Sequence, residues 1–251
     1  MPAPRGPRSA RRRPTPSYAS TPRWGLVDVP RTESVDAAAD PVPPTTDALT
    51  RALRLAALIL AGAGVVHAIR YVVAVVNRTH PIPMWIDWLS SIAVLVFGVM
   101  ALVAVVMATV AFGRWVRQIR RRRYASAGFV DPRPTVVVYL LSMVPLVNVV
   151  GALWLLHEAA RIGPPDPRAD RVRVRLAIAW GLVNALALLA AGYRIAAWST
   201  TSLQLDADAL ALVTLVFGVS AVFAHWAVRR LEIIAGTLET VERPVRRLVA
   251  A

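Results

Sequence analysis

The chain has 251 residues, 56% of them hydrophobic and 18% charged, with a net charge of +14 and no cysteine. Soluble domains carry about 45–50% apolar and about 25% charged residues, so a soluble globular fold is a poor fit, and the missing cysteine excludes disulfide and thiolate chemistry. Every basic residue is arginine; the balance fits the basic bias of cytoplasmic membrane-protein loops, and nucleic acid is set aside as a partner.

Residues 1–48 hold no long apolar run and are rich in Pro, Ala, Ser and Thr. Arginines from Arg5 to Arg23 come first, and acids from Asp28 to Asp47 follow. A secretory signal peptide needs an apolar run of about 7–15 residues, so the segment is not read as one. It buries too little apolar surface to offset its ordering entropy and is expected to be disordered. Trp24-Gly25-Leu26-Val27 reads as a chance apolar patch or as a short docking element.

Five apolar runs follow: Ala52–Val76, Trp88–Phe112, Thr135–Leu156, Leu176–Trp198 and Ala209–Val228. Each matches the roughly 20 residues that span about 30 Å of hydrocarbon as a helix. Thr46 or Asp47 is an expected N-cap for the first. The connection Asn77–Asp87 has Arg78 as its strong base, with Trp85 and Trp88 as interface anchors. The next connection holds Arg114, Arg117, Arg120, Arg121, Arg122, Arg123 and Arg133 against a single acid, Asp131. The run Arg120–Arg123 reads as a topology determinant that also attracts anionic headgroups. The third connection carries arginines from Arg161 to Arg175, the fourth carries none, and the C-terminal tail is again basic.

Five crossings would place two arginine-rich segments outside. If the third run does not cross, every arginine-rich connection lies inside. That run has a reason not to cross. Pro145 lacks an N–H and clashes with the carbonyl of residue 141, and Asn148 is placed to cap a new helix. The fold expected is therefore an all-α integral membrane protein. It has four transmembrane helices plus one broken re-entrant or interfacial helix, and five transmembrane helices, one kinked at Pro145, are the alternative. The domains are 1–48, a disordered Pro/Arg-rich cytoplasmic tail; 49–236, a multi-pass membrane domain; and 237–251, a basic cytoplasmic tail. The location expected is the bacterial plasma membrane, with both termini cytoplasmic.

Val144-Pro145-Leu146-Val147-Asn148, followed by Glu158 within Leu156-His157-Glu158-Ala159-Ala160-Arg161, resembles the central motif of the "domain of unknown function 4328" family. The resemblance covers roughly Leu49–Gly236 and implies a multi-pass, mostly actinobacterial membrane protein. It implies no reaction. Pro145, Asn148 and Glu158 match; Val149-Val150-Gly151 stands where the family carries bulkier residues. The Cys-rich segment of some relatives has no counterpart here.

No catalytic set is visible, and neither metal nor cofactor is expected. His157-Glu158 lacks the second histidine that a zinc-protease helix needs; Arg161 stands there. Glu158 and Arg161, three apart, are expected to pair at the surface. His67, Arg70 and Tyr71 recur on one face of the first helix, and Arg194 lies late in the fourth. At 1.5 Å per residue, Arg70 stands about 24 Å above Arg54 and Arg194 about 28 Å above Arg175, both in the outer part of the membrane. They read either as snorkelling arginines or as a cationic pocket, closed by Asp87, Asp206 or Asp208, for an anion or headgroup. Gly181–Ala185 and Ser220–Ala224 have spacings that permit close helix contact. The leading functional expectation is a non-enzymatic scaffold or accessory protein with residues 1–48 as its protein-binding segment. A small transporter or lipid-handling protein using the broken helix and the Arg70/Arg194 region is the alternative. Membrane lipids, through anionic headgroups at the cytoplasmic face, are the expected partners in either case.

Overall fold

The computed structural model describes residues 46–162, 167–200 and 202–239. All but the last three residues of the expected N-terminal tail, and residues 240–251, lie outside them.

Among the described residues six helices follow in order: α1 Thr46–Thr79, α2 Met84–Ser126, α3 Thr135–Met143, α4 Val147–Ala160, α5 Pro167–Trp198 and α6 Leu203–Glu239. Four of them, α1, α2, α5 and α6, are long and apolar enough to cross a membrane. Their sides carry exposed apolar residues such as Leu95, Leu102, Leu182 and Val222. Such surface suits hydrocarbon, where each helix satisfies its own backbone groups.

Helix α2 is 43 residues long and outruns its apolar stretch, because no proline interrupts the basic segment after Phe112. It ends at Gly128, whose φ of 81° is open to glycine at little cost. Gly128 N–H donates to the Ala125 carbonyl and Phe129 N–H to that of Tyr124, the paired bonds of a Schellman C-cap.

Helix α1 packs between α2 and α6, α6 packs on α5, and α3 and α4 lie against α2. In mid-bundle, Ala56, Ala63, Ala101, Ala104, Ala108 and Ala221 are buried, small side chains that let helix backbones approach. Toward the basic ends of the helices the core is bulkier, with Trp115, Ile119, Leu155, Leu156 and Ile234.

The third apolar run is two helices of 9 and 14 residues, about 14 and 21 Å long and each short of the roughly 30 Å core. They fold back on one another. A β-carbon added to Gly151 would lie 2.5 Å from the Leu141 carbonyl oxygen. In a continuous helix, residues ten apart stand about 15 Å apart along the axis. The run is thus a broken helix closed into a hairpin.

Candidate functional site

The break is built from Pro145 and Leu146. Leu146 has φ 66° and ψ −45°, and Val147 N–H donates to the Pro145 carbonyl at 2.8 Å. This is a γ-turn of the rare, strained hand. Proline withdraws a donor, and the tight turn reverses the chain within one residue. Asn148 does not cap α4: Leu146 occupies the N-cap position, with no side-chain cap bond. Because the turn reverses the chain before Asn148, that residue falls in the first turn of α4, with its side chain buried in the bundle.

There Asn148 and Pro145 line a cavity of about 400 Å³ between α1, α2, α5 and α6, within the ordinary range of small-molecule sites. An aromatic wall closes one side: the Trp180 ring lies 5.2 Å from that of Phe112 and 6.0 Å from that of Phe223. Asn184 also lines it and donates its amide to the Trp180 carbonyl at 2.9 Å, which leaves its own carbonyl oxygen as an acceptor. The cavity has no ionisable side chain on its walls. It suits an uncharged guest with a long apolar part and a group that hydrogen-bonds carboxamides.

A second, polar cleft of about 570 Å³ lies toward the other helix ends and brings Arg70 and Arg194 together. Arg70 donates to the Asp87 carboxylate and to Ser90 Oγ, while Arg194 reaches Asp206 at 3.5 Å. Asp208 takes no part and accepts from Gln204 at 2.9 Å. His67 does not join the cleft either, contrary to its grouping with Arg70. Three residues turn a helix by about 300°, enough to send the imidazole toward α6 while Arg70 reaches α2. His67 is buried, donates from Nδ1 to its own helix at the Ala63 carbonyl and packs its ring 4.8 Å from Phe217.

Glu158 does not pair with Arg161. It accepts from Arg120 at 3.0 Å and from Arg133 at 2.7 Å. Arg120, fully buried in α2, also grips Asp131 with two nitrogens, Nε at 3.0 Å and Nη2 at 2.7 Å, and donates to the Leu155 carbonyl at 2.9 Å. Two arginines and two carboxylates thus bind the end of α4 and the α2–α3 loop to α2. Burial alone would raise the Glu158 pKa, but hydrogen bonds and charge from Arg133 and Arg120 outweigh it and hold the carboxyl below its ordinary range. Asp131 is lowered in the same way, by Arg120 and the Arg133 backbone N–H. Sequence reading assigned Arg120 to a surface run. The signal it contained was Asp131, the lone acid in a stretch of arginines.

Among the described residues no three His, Asp or Glu side chains are grouped to hold a metal. The family model described as "Domain of unknown function (DUF4328)" matches residues 78–235, more than half the chain. The match covers the hairpin, the cavity's α2, α5 and α6 walls and most of the cleft. No curated protein and no solved structure matches the chain.

Proposed function

The chain belongs to the DUF4328 family and carries four helices long and apolar enough to cross a membrane, and from that premise we propose that it is a non-enzymatic lipid-handling protein of the plasma membrane, binding an uncharged amphiphile in the cavity beside the helix break. One observation carries this reading: the aromatic-walled, charge-free cavity that Asn148 and Asn184 share with Pro145. Broken helices in membrane proteins commonly serve sites within the bundle, because backbone freed from regular bonding is tolerated where it lines a cavity. A scaffold role would rest on residues 1–48, and the cavity gives it no support.

A photoreactive long-chain alcohol tests the reading. Purified protein in detergent should be labelled in the cavity wall, and Ala187→Trp or Ala224→Phe, which fill the cavity, should remove most of the labelling while the protein stays folded. Undiminished labelling in both variants would overturn the proposal.

Transfer of the guest is the second reading. The polar cleft lies farther along the same four helices, and on α1 His67, packed on the cavity residue Phe217, falls between Leu60 of the cavity and Arg70 of the cleft. His67→Ala should then speed exchange of the labelled alcohol between protein and vesicle; an unchanged rate would remove this reading and leave binding intact.

A further inference from the structure

Another face of the α1–α6 pair carries a groove that neither the cavity nor the cleft uses. Arg54 rims it from α1, and His225, Arg229 and Arg230 rim it from α6. Its floor is apolar, with Leu58 71% exposed and Val222 70% exposed. The groove measures about 790 Å³, and no carboxylate is among the residues that line it.

Three features make this groove amphiphilic along its length. The cations cluster at one end, where the apolar stretches of both helices give way to arginine. From Arg54 to Ala61 the floor runs about 10 Å along α1, and from Val222 to Arg230 about 12 Å along α6. The small side chains of Ala57, Ala61 and Ala221 keep it shallow and open. At the rim, the Arg230 guanidinium lies 5.1 Å from the centre of the Trp226 ring, a cation–π contact that steadies the charge beside an aromatic suited to the interface.

The run Arg120–Arg123 does not offer an equivalent site. Arg120 is fully buried and paired with Asp131 and Glu158, Arg123 is buried as well, and of the four Arg121 alone is exposed, so the run presents no cluster of open cations. Basic pockets between transmembrane helices on the cytoplasmic side are suited to anionic headgroups.

We propose that the groove rimmed by Arg54, His225, Arg229 and Arg230 is a binding site for one anionic glycerophospholipid, with its phosphate on the arginines and an acyl chain along the apolar floor. The site is separate from the uncharged-guest cavity. A loss here would leave labelling by the photoreactive alcohol unchanged.

The test is a titration of the full-length protein in neutral detergent with phosphatidylglycerol or phosphatidylcholine, followed by native mass spectrometry. The parent should bind one phosphatidylglycerol in roughly tenfold preference to phosphatidylcholine. The triple variant Arg54→Gln, Arg229→Gln, Arg230→Gln should lose most of that preference. A charge-matched variant, Arg114→Gln, Arg121→Gln, Arg171→Gln, should keep it. Ala61→Trp, a change at an exposed floor position, should weaken phosphatidylglycerol binding with every arginine in place, and it carries the test if the triple variant fails to fold. Equal preference in parent and triple variant would overturn the proposal, as would equal loss in the charge-matched variant. Full displacement of the lipid by millimolar inorganic phosphate, or no effect of Ala61→Trp, would show that the arginines hold an anion and the floor holds no chain, and would overturn it too.

Discussion

Arg120 keeps its charge inside the protein because each side of its guanidinium meets an acceptor. Asp131 takes two nitrogens side by side, and Glu158 and the Leu155 carbonyl share a third. Removing Arg120 leaves Glu158 to Arg133 and Asp131 to the Arg133 backbone N–H, and a partly buried carboxylate that loses its guanidinium costs up to about 3–5 kcal/mol. Arg120→Leu should therefore unfold at markedly lower temperature. The pH response follows from the carboxylates. Both are depressed below their ordinary values in the folded protein, so the unfolded chain takes up protons first as pH falls. Their contribution is whole above the ordinary carboxylate pKa of about 4 and is lost as pH drops through that value toward the lower folded one. Thermal midpoints should be level from neutral pH down to about 5 and then fall. Glu158→Gln should start lower at neutral pH and fall less. A parent and a Gln variant with the same acid profile would show that Glu158 contributes nothing to stability.

At the scale of elements, the hairpin of α3 and α4 depends on close approach as much as on the turn. Gly151 faces the Leu141 backbone so closely that a methyl group there would lie 2.5 Å from its carbonyl oxygen. Backbone cannot step aside as a flexible side chain does, so the two half-helices would have to part. Gly181 is the contrast: the space around its α-carbon is open, and the close contact expected of its small-residue spacing is not made. Gly151→Ala should destabilise the protein by roughly 1–3 kcal/mol, the usual cost of overpacking. Gly181→Ala should stabilise it by up to about 1 kcal/mol through helix propensity. Chemical denaturation of both variants in the same detergent checks the opposite signs; a Gly151→Ala protein as stable as the parent would mean that the hairpin does not rest on this contact.

For the whole molecule, the hairpin bears on how many times the chain passes through the bilayer. If α3 and α4 return to the side they left, α2 should end and α5 begin on one side, with the arginine-rich connections together there. Single cysteines in this cysteine-free chain read the arrangement directly. Ser202→Cys, between α5 and α6, should react with an impermeant thiol reagent on intact cells. Val130→Cys, after α2, and Pro167→Cys, before α5, should react only after lysis. Labelling at 167 from outside, with 130 protected, would establish five crossings.

The sequence by itself determined the all-helical membrane architecture, the four long helices and the place of the break. These follow from properties read along one chain: run length, the charge of each connection, and a proline's missing donor. Helical rise also gave Arg70 and Arg194 similar heights along their helices, and both line one cleft. Only the tertiary structure decided which way side chains turn and what they meet. It sent His67 to Phe217 and away from Arg70, moved Asn148 from a cap into a cavity wall, and gave Glu158 to Arg120 and Arg133 in place of Arg161. Partners 25 and 38 residues away in the chain leave no trace in local spacing. A cavity is likewise the space left where five segments fail to fill one volume, and no single segment encodes it.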